Sequence, residues 1–256
     1  MDYLNTQQIE KFRKDGFLVI KNVFTKKECD ELKQTLMQEI TKGKLALKNT
    51  VNNLKDKIDY NKIGDVPRKI NEGLLQDIAH RNSKFMSVVK DKRLVNIIGK
   101  LFGDEIKEYC LYRSTSIFKN SKISSATAWH QDIIYWKGQP NKITVWFPLD
   151  QTEPQGGSMQ YIPGTHTKLY EDILKNGHDT KSIEEYWKSP NQHKADENRK
   201  VTTKLEKGDI VIHHCCTMHG TEENILGKER YALIFTYQPS TDTSHHRSGK
   251  PEIIKK

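Results

Sequence analysis

The sequence predicts an α+β protein with an all-β core, built as a barrel or a sandwich and flanked by helices. Between residues 106 and 240, short β-rich runs recur between turn residues, which is typical of such folds. Residues 1–105 have a mostly helical pattern instead. The 256-residue chain contains no internal repeat and no Pro/Gly-rich linker, so we predict a single domain over residues 1–256. The β-rich runs are EYCLYRSTSIFK, ITVWFPLD, GSMQYIPG, GDIVIHHCC and RYALIFTYQ.

The N-terminal part is predicted to contain a short strand followed by two amphipathic helices. The strand is DGFLVIKNVF. The first helix begins at Thr25, which forms a capping-box pattern with Glu28 three residues later. The second helix lies in KDKRLVNIIGKLFGDE and ends at Gly103. The apolar residues expected to face the core are Cys29, Leu32, Leu36 and Ile40 in the first helix and Leu94, Ile98 and Leu101 in the second.

Charge and composition argue against several classes of protein. The net charge is +9, from 42 Lys and Arg against 33 Asp and Glu, but the excess lysines are scattered among acids. We interpret them as a solvated surface and predict no nucleic-acid partner. No apolar run approaches the roughly 18 residues that span a bilayer, and the opening lacks the apolar core of a signal peptide. The four cysteines include no CxxC pair. The sequence thus predicts a cytoplasmic protein without a membrane partner, disulfide framework or structural zinc.

The stretch TAWHQDIIYW, residues 127–136, contains a candidate metal-binding pair. On a strand, residues i and i+2 point to the same face, so His130 and Asp132 are expected to point to one place. Two imidazoles and one carboxylate arranged facially suit Fe(II) and leave three positions for a co-substrate and oxygen. A second histidine is therefore expected from a later strand.

His219 is the best candidate for that third ligand, because it ends a predicted strand and is followed by Gly220. His213 and His214 are rivals, but neither follows a turn that aims it into a barrel mouth. Along their strand, Val211 and His213 share one face.

Arg230 is a candidate anchor for an anion beside this site. A bend between Asn224 and Ile225 would place Arg230 across an antiparallel pair from His219. A guanidinium can hold a carboxylate through two parallel hydrogen bonds, so Arg230 is suited to the distal carboxylate of a 2-oxoacid. The alternative is a surface ion pair with a neighbouring glutamate, Glu229 or Glu222, but the run RYALIFTY around the arginine is apolar.

Four motifs, in the same order, resemble the phytanoyl-CoA dioxygenase family of Fe(II)/2-oxoglutarate oxygenases. WHQDIIYW resembles its His-x-Asp segment, and GGSMQYIPGTH resembles its Gly-Gly…Ile-Pro-Gly-Ser-His turn. GDIVIHHCCTMHGTEENILGKER resembles its Gly-Asp…His-Gly-Ser…Asn…Arg segment, and LNTQQIEKFRKDGFLVIKNVFTKKEC its opening. The likeness covers nearly the whole chain; residues 167–200 match least.

The resemblance implies a double-stranded β-helix, a jelly-roll or cupin-like barrel, with Fe(II), 2-oxoglutarate and O2 as cofactor and co-substrates. It implies that His130, Asp132 and His219 hold the iron. Arg230 is expected to bind the C5 carboxylate of 2-oxoglutarate. The further co-substrate contacts implied by the resemblance are the Thr221 hydroxyl, Trp146, Lys69 and Tyr112.

The resemblance also bears on the reaction and the substrate. Because Asp132 is present, hydroxylation with release of succinate and CO2 is expected rather than halogenation, in which a small residue replaces the carboxylate. The Tyr-Trp ending of WHQDIIYW is closer to members that act on small polar molecules than to the acyl-CoA branch. Residues 167–200 are expected to be an insertion that covers the site, with Tyr186 and Trp187. The candidate substrate contacts are Tyr135, Trp136 and Lys137.

Two other classes of function compete with this interpretation. A zinc-dependent hydrolase can use the same three ligands, but it has no use for Arg230. A non-catalytic module for anionic ligands is compatible with the net charge of +9.

Overall fold

The computed structural model of the chain describes residues 3–53, 74–119, 126–136, 138–168, 197–244 and 252–255. Its helices are α1 (Thr6–Asp15), α2 (Lys26–Asn53), α3 (Ile78–Arg81), α4 (Ser83–Val89) and α5 (Lys92–Phe102). Its strands are β1 (Phe17–Ile20), β2 (Leu74–Gln76), β3 (Glu108–Lys119), β4 (Thr127–His130), β5 (Ile143–Pro148), β6 (Met159–Tyr161), β7 (Val201–Thr202), β8 (Ile210–His214), β9 (His219–Thr221), β10 (Arg230–Pro239) and β11 (Glu252–Lys255). All five β-rich runs of the sequence contain a strand.

The strands form two antiparallel sheets, which are named here the large sheet and the small sheet. The large sheet has the order β1-β8-β5-β10-β3-β11, and β2 pairs with β3 beside that path. The small sheet has the order β4-β9-β6-β7. Consecutive strands repeatedly alternate between the sheets, as in a jelly roll, so the predicted double-stranded β-helix with flanking helices is confirmed.

The two faces of the large sheet pack against different partners. Along β10, Tyr231, Leu233 and Phe235 belong to a core shared with the helices. Ala232 belongs to a second core between the sheets. This period of two follows from the alternation of side chains along a strand, and it places the inward-facing residues of the large sheet opposite the small sheet. The core between the sheets contains Phe17, Trp146, Met159, Tyr161, Leu205, Val211 and Ala232.

The predicted helix boundaries are confirmed at α2 and α5. The Glu28 carboxylate accepts from the Thr25 backbone N–H at 2.7 Å, and the Thr25 hydroxyl accepts from the Glu28 backbone N–H at 3.2 Å, which forms the capping box. Gly103 ends α5 with a φ of 82°, in the left-handed region that favours glycine. Glu28 also pairs with Arg93 at 2.6 Å and so ties α2 to α5.

Some predictions fall outside the described residues. Lys69, Lys137, Tyr186 and Trp187 are among them, as is most of the insertion at 167–200. The single domain over residues 1–256 stays a prediction. Within the described part of the chain, no helix has the length and apolar character needed to cross a bilayer.

A buried ion pair joins the start of β5 to the chain after β10. Lys142 Nζ lies 2.6 Å from Asp242 Oδ2, with 0% and 5% of the two side chains exposed. Asp242 also accepts hydrogen bonds from the backbone N–H groups of Gln139 and Ser244. Burial alone would raise the pKa of Asp242, but the hydrogen bonds from Lys142 and Ser244 outweigh burial and lower it to about 2.

Asp242→Asn is expected to lower the free energy of unfolding at pH 7 by about 3–5 kcal/mol, because it leaves Lys142 buried without a counter-charge. The folded-state pKa of Asp242 is depressed, so its stabilisation is present above the unfolded value of about 3.9 and disappears as pH falls toward 2. Urea unfolding at pH 7 and below pH 4 should therefore give a difference between the two proteins that shrinks in acid. The exposed Asp104→Asn is the control, and a loss below about 1 kcal/mol at pH 7 would contradict the expectation.

Candidate functional site

The histidines of the candidate metal site meet because two strands of the small sheet pair there. β4 ends at His130, and β9 begins at His219, directly opposite in the register. The prediction that His219 ends a strand is therefore wrong. The two rings lie 4.2 Å apart, centroid to centroid. Asp132 lies in a 3-10 turn after β4, rather than on the strand as the sequence argument assumed.

The turn brings the Asp132 carboxylate to the same point. Asp132 Oδ1 lies 3.7 Å from His130 Nε2 and 3.8 Å from His219 Nε2. One donor atom from each residue lies within 4.8 Å of the other two. All three side chains are almost entirely buried. Three donors that converge in this way can hold one metal ion and leave positions open for other ligands.

The protonation states at this site also fit a metal ion. His219 Nδ1–H donates to the Thr217 carbonyl at 2.8 Å, which leaves the Nε2 lone pair facing Asp132. Burial, assisted by His130 and His213, holds the pKa of His219 well below its usual value. Burial alone would raise the pKa of Asp132, but His219, His130 and His213 outweigh burial and hold it well below the ordinary value. A neutral imidazole and an ionised carboxylate are the forms that bind metals.

His213, which the sequence left as a rival ligand, lies behind the carboxylate. Its Nε2 lies 3.2 Å from Asp132 Oδ2, and its Nδ1 lies 3.1 Å from the Tyr161 hydroxyl. The Thr144 hydroxyl donates to the same Oδ2 at 3.4 Å. Such hydrogen bonds to the outer oxygen of a ligating carboxylate fix its orientation. Val211 and His213 do share the inward face of β8, as predicted.

His214, the other rival, points away from the three candidate ligands, which are called the triad below: His130, Asp132 and His219. Its Nδ1 accepts from the Cys216 backbone N–H, and its ring packs near His166.

The predicted pairing of His219 with Arg230 across a bend is wrong. β9 lies in the small sheet and β10 in the large sheet, so the chain crosses between sheets after Thr221 instead of folding back as a hairpin. Arg230 pairs with Lys119, the last residue of β3. Lys119 Nζ in turn donates to the Thr221 hydroxyl at 2.8 Å. Arg230 therefore reaches the site through the opposite sheet.

Arg230 and Lys119 form a buried cationic cluster with Thr221. Arg230 donates to the Gly157 carbonyl and lies over the Trp146 ring, 5.3 Å from its centroid. Its Nε has no hydrogen-bond partner, and within the described ranges no carboxylate lies at ion-pair distance from it. Burial lowers the pKa of Arg230 to about 10. Burial, followed by Arg230, lowers the pKa of Lys119 to about 7.

Arg230 has the properties of an anion site, because a buried charge that finds no counter-charge among the described residues is costly. The two glutamates that were alternative partners of Arg230 are occupied elsewhere. Glu229 accepts from the Tyr231 hydroxyl, and Glu222 lies 3.6 Å from Lys200. Sequence reasoning missed Lys119, whose only signal was a lysine at the end of an otherwise apolar strand.

The remaining predicted contacts lie near the other end of β3 or outside the described residues. Tyr112 lies seven residues from Lys119 along β3, about 23 Å away. Its ring is 5.4 Å from that of Trp136, and both belong to an apolar cluster with Cys215. For Tyr135 only the backbone is described.

Comparison with known proteins decides the family. The family model for phytanoyl-CoA dioxygenase matches residues 12–232. The chain belongs to the phytanoyl-CoA dioxygenase family. The phytanoyl-CoA dioxygenase domain-containing protein 1 homolog of Caenorhabditis elegans is 25% identical over 256 residues, 87% of this chain and 87% of the relative.

Two further comparisons concern enzymes with named activities. The ectoine dioxygenase of Stutzerimonas stutzeri (strain A1501) is 23% identical over 90% of this chain and 75% of its own. The crystal structure of the epimerase SnoN in complex with Fe3+, alpha ketoglutarate and nogalamycin RO has a TM-score of 0.66 at 17% identity. The structural match covers 98% of this chain and 94% of the SnoN chain.

Members of the phytanoyl-CoA dioxygenase family are non-haem iron dioxygenases that use 2-oxoglutarate and O2. This chain is therefore an oxidoreductase of that class. Its membership argues against the two alternatives raised by the sequence, a zinc-dependent hydrolase and a non-catalytic binding module.

Proposed function

We propose that this protein hydroxylates an unactivated C–H bond of a small polar molecule and converts 2-oxoglutarate to succinate and CO2. The observation that carries the proposal is the convergence of His130, Asp132 and His219 beside a buried arginine, Arg230, that has no carboxylate at ion-pair distance among the described residues. The activity of the related ectoine dioxygenase supports a small polar substrate. The structural neighbour SnoN is named an epimerase, so hydroxylation has to be tested directly.

His130, Asp132 and His219 would hold Fe(II), which when bound supplies the activation of O2 and the oxidation of the substrate C–H bond. The chain contributes a fixed ligand geometry. His213 and Thr144 hold the outer oxygen of the carboxylate, so that Oδ1 stays directed at the two imidazoles. The Thr217 carbonyl keeps the proton of His219 on Nδ1. These contacts keep the donor lone pairs available before any metal arrives.

Arg230, Lys119 and Thr221 bind the C5 carboxylate of 2-oxoglutarate in this proposal. Thr221 follows His219 by two strand residues, about 7 Å, a span that a five-carbon dicarboxylate covers. Trp146 lies under the guanidinium and restricts its plane. The burial of both cations excludes water and strengthens their attraction for the anion. The co-substrate is thereby oriented with its other end toward the triad.

The proposal is tested by supplying Fe(II), 2-oxoglutarate and a panel of small polar molecules under ¹⁸O2. The expected result is succinate formation that increases with one panel member, whose product gains one oxygen atom carrying the label. Omission of 2-oxoglutarate is the control and should abolish the product. A product that has lost two hydrogens or changed configuration without gaining oxygen would contradict hydroxylation while leaving the enzyme class intact.

A further inference from the structure

Strand β3 carries a second arginine, which the proposed function does not use. Arg113 lies on β3, opposite Thr236 of β10. The register then shifts, and Leu111 is the residue opposite Tyr237. Tyr112 is therefore an extra residue in β3, which makes this point a β-bulge. A bulge interrupts the alternation of side chains and redirects them.

The flanking residues establish which way this bulge turns its side chains. Leu111 belongs to the core shared with the helices. The Ser114 hydroxyl accepts from the Ala79 backbone N–H of α3, so Ser114 also faces the helices. Tyr112, in contrast, packs with Trp136 on the inner side. The bulge thus turns both Tyr112 and Arg113 toward the interior of the fold.

The Arg113 guanidinium is only partly satisfied. Its Nε donates to the Thr115 hydroxyl at 3.0 Å. Within the ranges that the structure describes, its two terminal nitrogens have no hydrogen-bond partner and no carboxylate at ion-pair distance. Asp132 and Asp77 act on it only through longer-range attraction, and burial lowers its pKa. A partly buried cation with free N–H groups requires an anion or water.

Arg113 lies near the metal-binding carboxylate but away from the co-substrate cluster. Thr236, its neighbour across the strand pair, contacts Thr144 at 3.1 Å, and Thr144 contacts Asp132 at 3.4 Å. Two strand spacings of about 4.8 Å separate Arg113 from Thr144. Arg230 lies six residues from Thr236 along β10, about 20 Å away. The triad therefore lies between two separate cationic ends.

A second donor lies close to the bulge that carries Arg113. Trp136 Nε1 is buried and has no hydrogen-bond partner among the described residues, and the Trp136 ring is 5.4 Å from that of Tyr112, the neighbour of Arg113. One cation and one neutral donor match a singly charged planar acceptor better than a dianionic phosphate, which requires more positive charge. A guanidinium fork fits a carboxylate through two parallel hydrogen bonds.

We propose that Arg113 binds the carboxylate of the primary substrate, so that the substrate is a small carboxylic acid oxidised on the part of the molecule remote from that carboxylate. This inference rests on the proposed function, because it assigns the second anion to a substrate oxidised at the triad. Trp136 Nε1 contributes the second donor, and Tyr112 provides the apolar floor between the carboxylate and the reacting carbon.

The test is calorimetric titration of the anaerobic holoenzyme, loaded with Fe(II) and 2-oxoglutarate. The probes are amino acids and hydroxy acids of four to seven carbons, each paired with its own carboxamide. The wild-type protein is expected to bind at least one acid tenfold or more tightly than its amide. Arg113→Gln should weaken the binding of that acid by about 30-fold or more, which is the loss expected for removing one member of a buried charge pair. Arg113→Lys should recover part of the affinity.

Arg13→Gln, a change of an exposed arginine, is the matched control and should leave all affinities unchanged. Modification of Arg113 by phenylglyoxal, followed by peptide mass spectrometry, gives a second measurement. The acids, but not the amides, should protect Arg113 from this modification. The inference is overturned if no acid binds or protects Arg113 from phenylglyoxal, or if the Arg113→Gln protein keeps the preference for acids. It is also overturned if Arg113→Gln weakens the binding of 2-oxoglutarate instead of the binding of the acid. Succinate formation by the wild-type protein reports on the proposed function separately, so the two failures are distinguishable.

Discussion

His219→Ala is expected to reduce 2-oxoglutarate-dependent succinate formation to background, a loss of about 1,000-fold or more, equal to about 4 kcal/mol. His130 and Asp132 alone cannot hold a facial three-donor site, so the iron should be lost as well. The measurement is succinate release at saturating Fe(II), combined with the iron content of the purified protein. Because His219 is buried, urea unfolding must accompany both measurements to separate loss of the ligand from loss of the fold.

Two other histidines make this test specific. His80→Ala, on the exposed surface of α3, should leave iron content and turnover unchanged. His213→Phe should weaken iron binding by about 10–100-fold while leaving turnover at saturating iron, because His213 orients the Asp132 carboxylate without supplying a ligand. A folded His219→Ala protein that retains iron-dependent succinate formation would refute the ligand assignment.

Arg230→Met is expected to raise the Kd for 2-oxoglutarate by about 100-fold, since removing one member of a buried charge pair costs about 2–5 kcal/mol. Fe(II) binding should not change, because Arg230 lies on the other sheet from the ligands. Titration of 2-oxoglutarate into the metal-loaded protein in the absence of O2 measures both effects. Arg13→Met is the control for loss of an arginine, and an unchanged Kd in Arg230→Met would place the co-substrate elsewhere.

Lys119 should contribute a pH dependence to the same equilibrium. Its pKa is lowered to about 7 by burial and by Arg230, so its positive charge is complete below that pH and is lost above it. An anion binds more tightly to the protonated form. The affinity of the wild-type protein for 2-oxoglutarate should therefore increase as pH falls from 8 to 6, and this increase should be smaller in Lys119→Met. Equal pH dependence in the two proteins would exclude Lys119 from the anion site.

The sequence predicted the residue types of the candidate metal site better than it predicted how the two sheets pack around that site. His130, Asp132 and His219 were proposed as ligands from their residue types and their predicted strands, and the structure brings them together although Asp132 lies in a turn and His219 begins a strand. Lys119 was missed because it meets Thr221 only when the two sheets pack, across 102 positions of sequence.

Other errors have local causes that residue types do not reveal. Arg230 was proposed as an anchor on a hairpin that does not form, because the bend residues after Thr221 also suit a crossover between sheets. Strand alternation correctly placed His213 on the same face as Val211, but alternation cannot distinguish a metal ligand from its hydrogen-bond partner. Arg113 was missed because a bulge breaks the period of two on which such arguments rely.

The two sheets carry different groups of the proposed site, and this arrangement has a consequence for how substitutions can alter binding. His130 and His219 are carried by the small sheet, whereas Arg230, Lys119 and Arg113, the cations of the two proposals, belong to the large one. The reach from metal to anchor is thus set by the thickness of the apolar filling between the sheets, in which Trp146, Tyr161 and Ala232 lie. A substitution that makes this layer thicker or thinner would therefore change the affinity for 2-oxoglutarate and for the proposed acid substrate together, without touching any group that contacts either molecule.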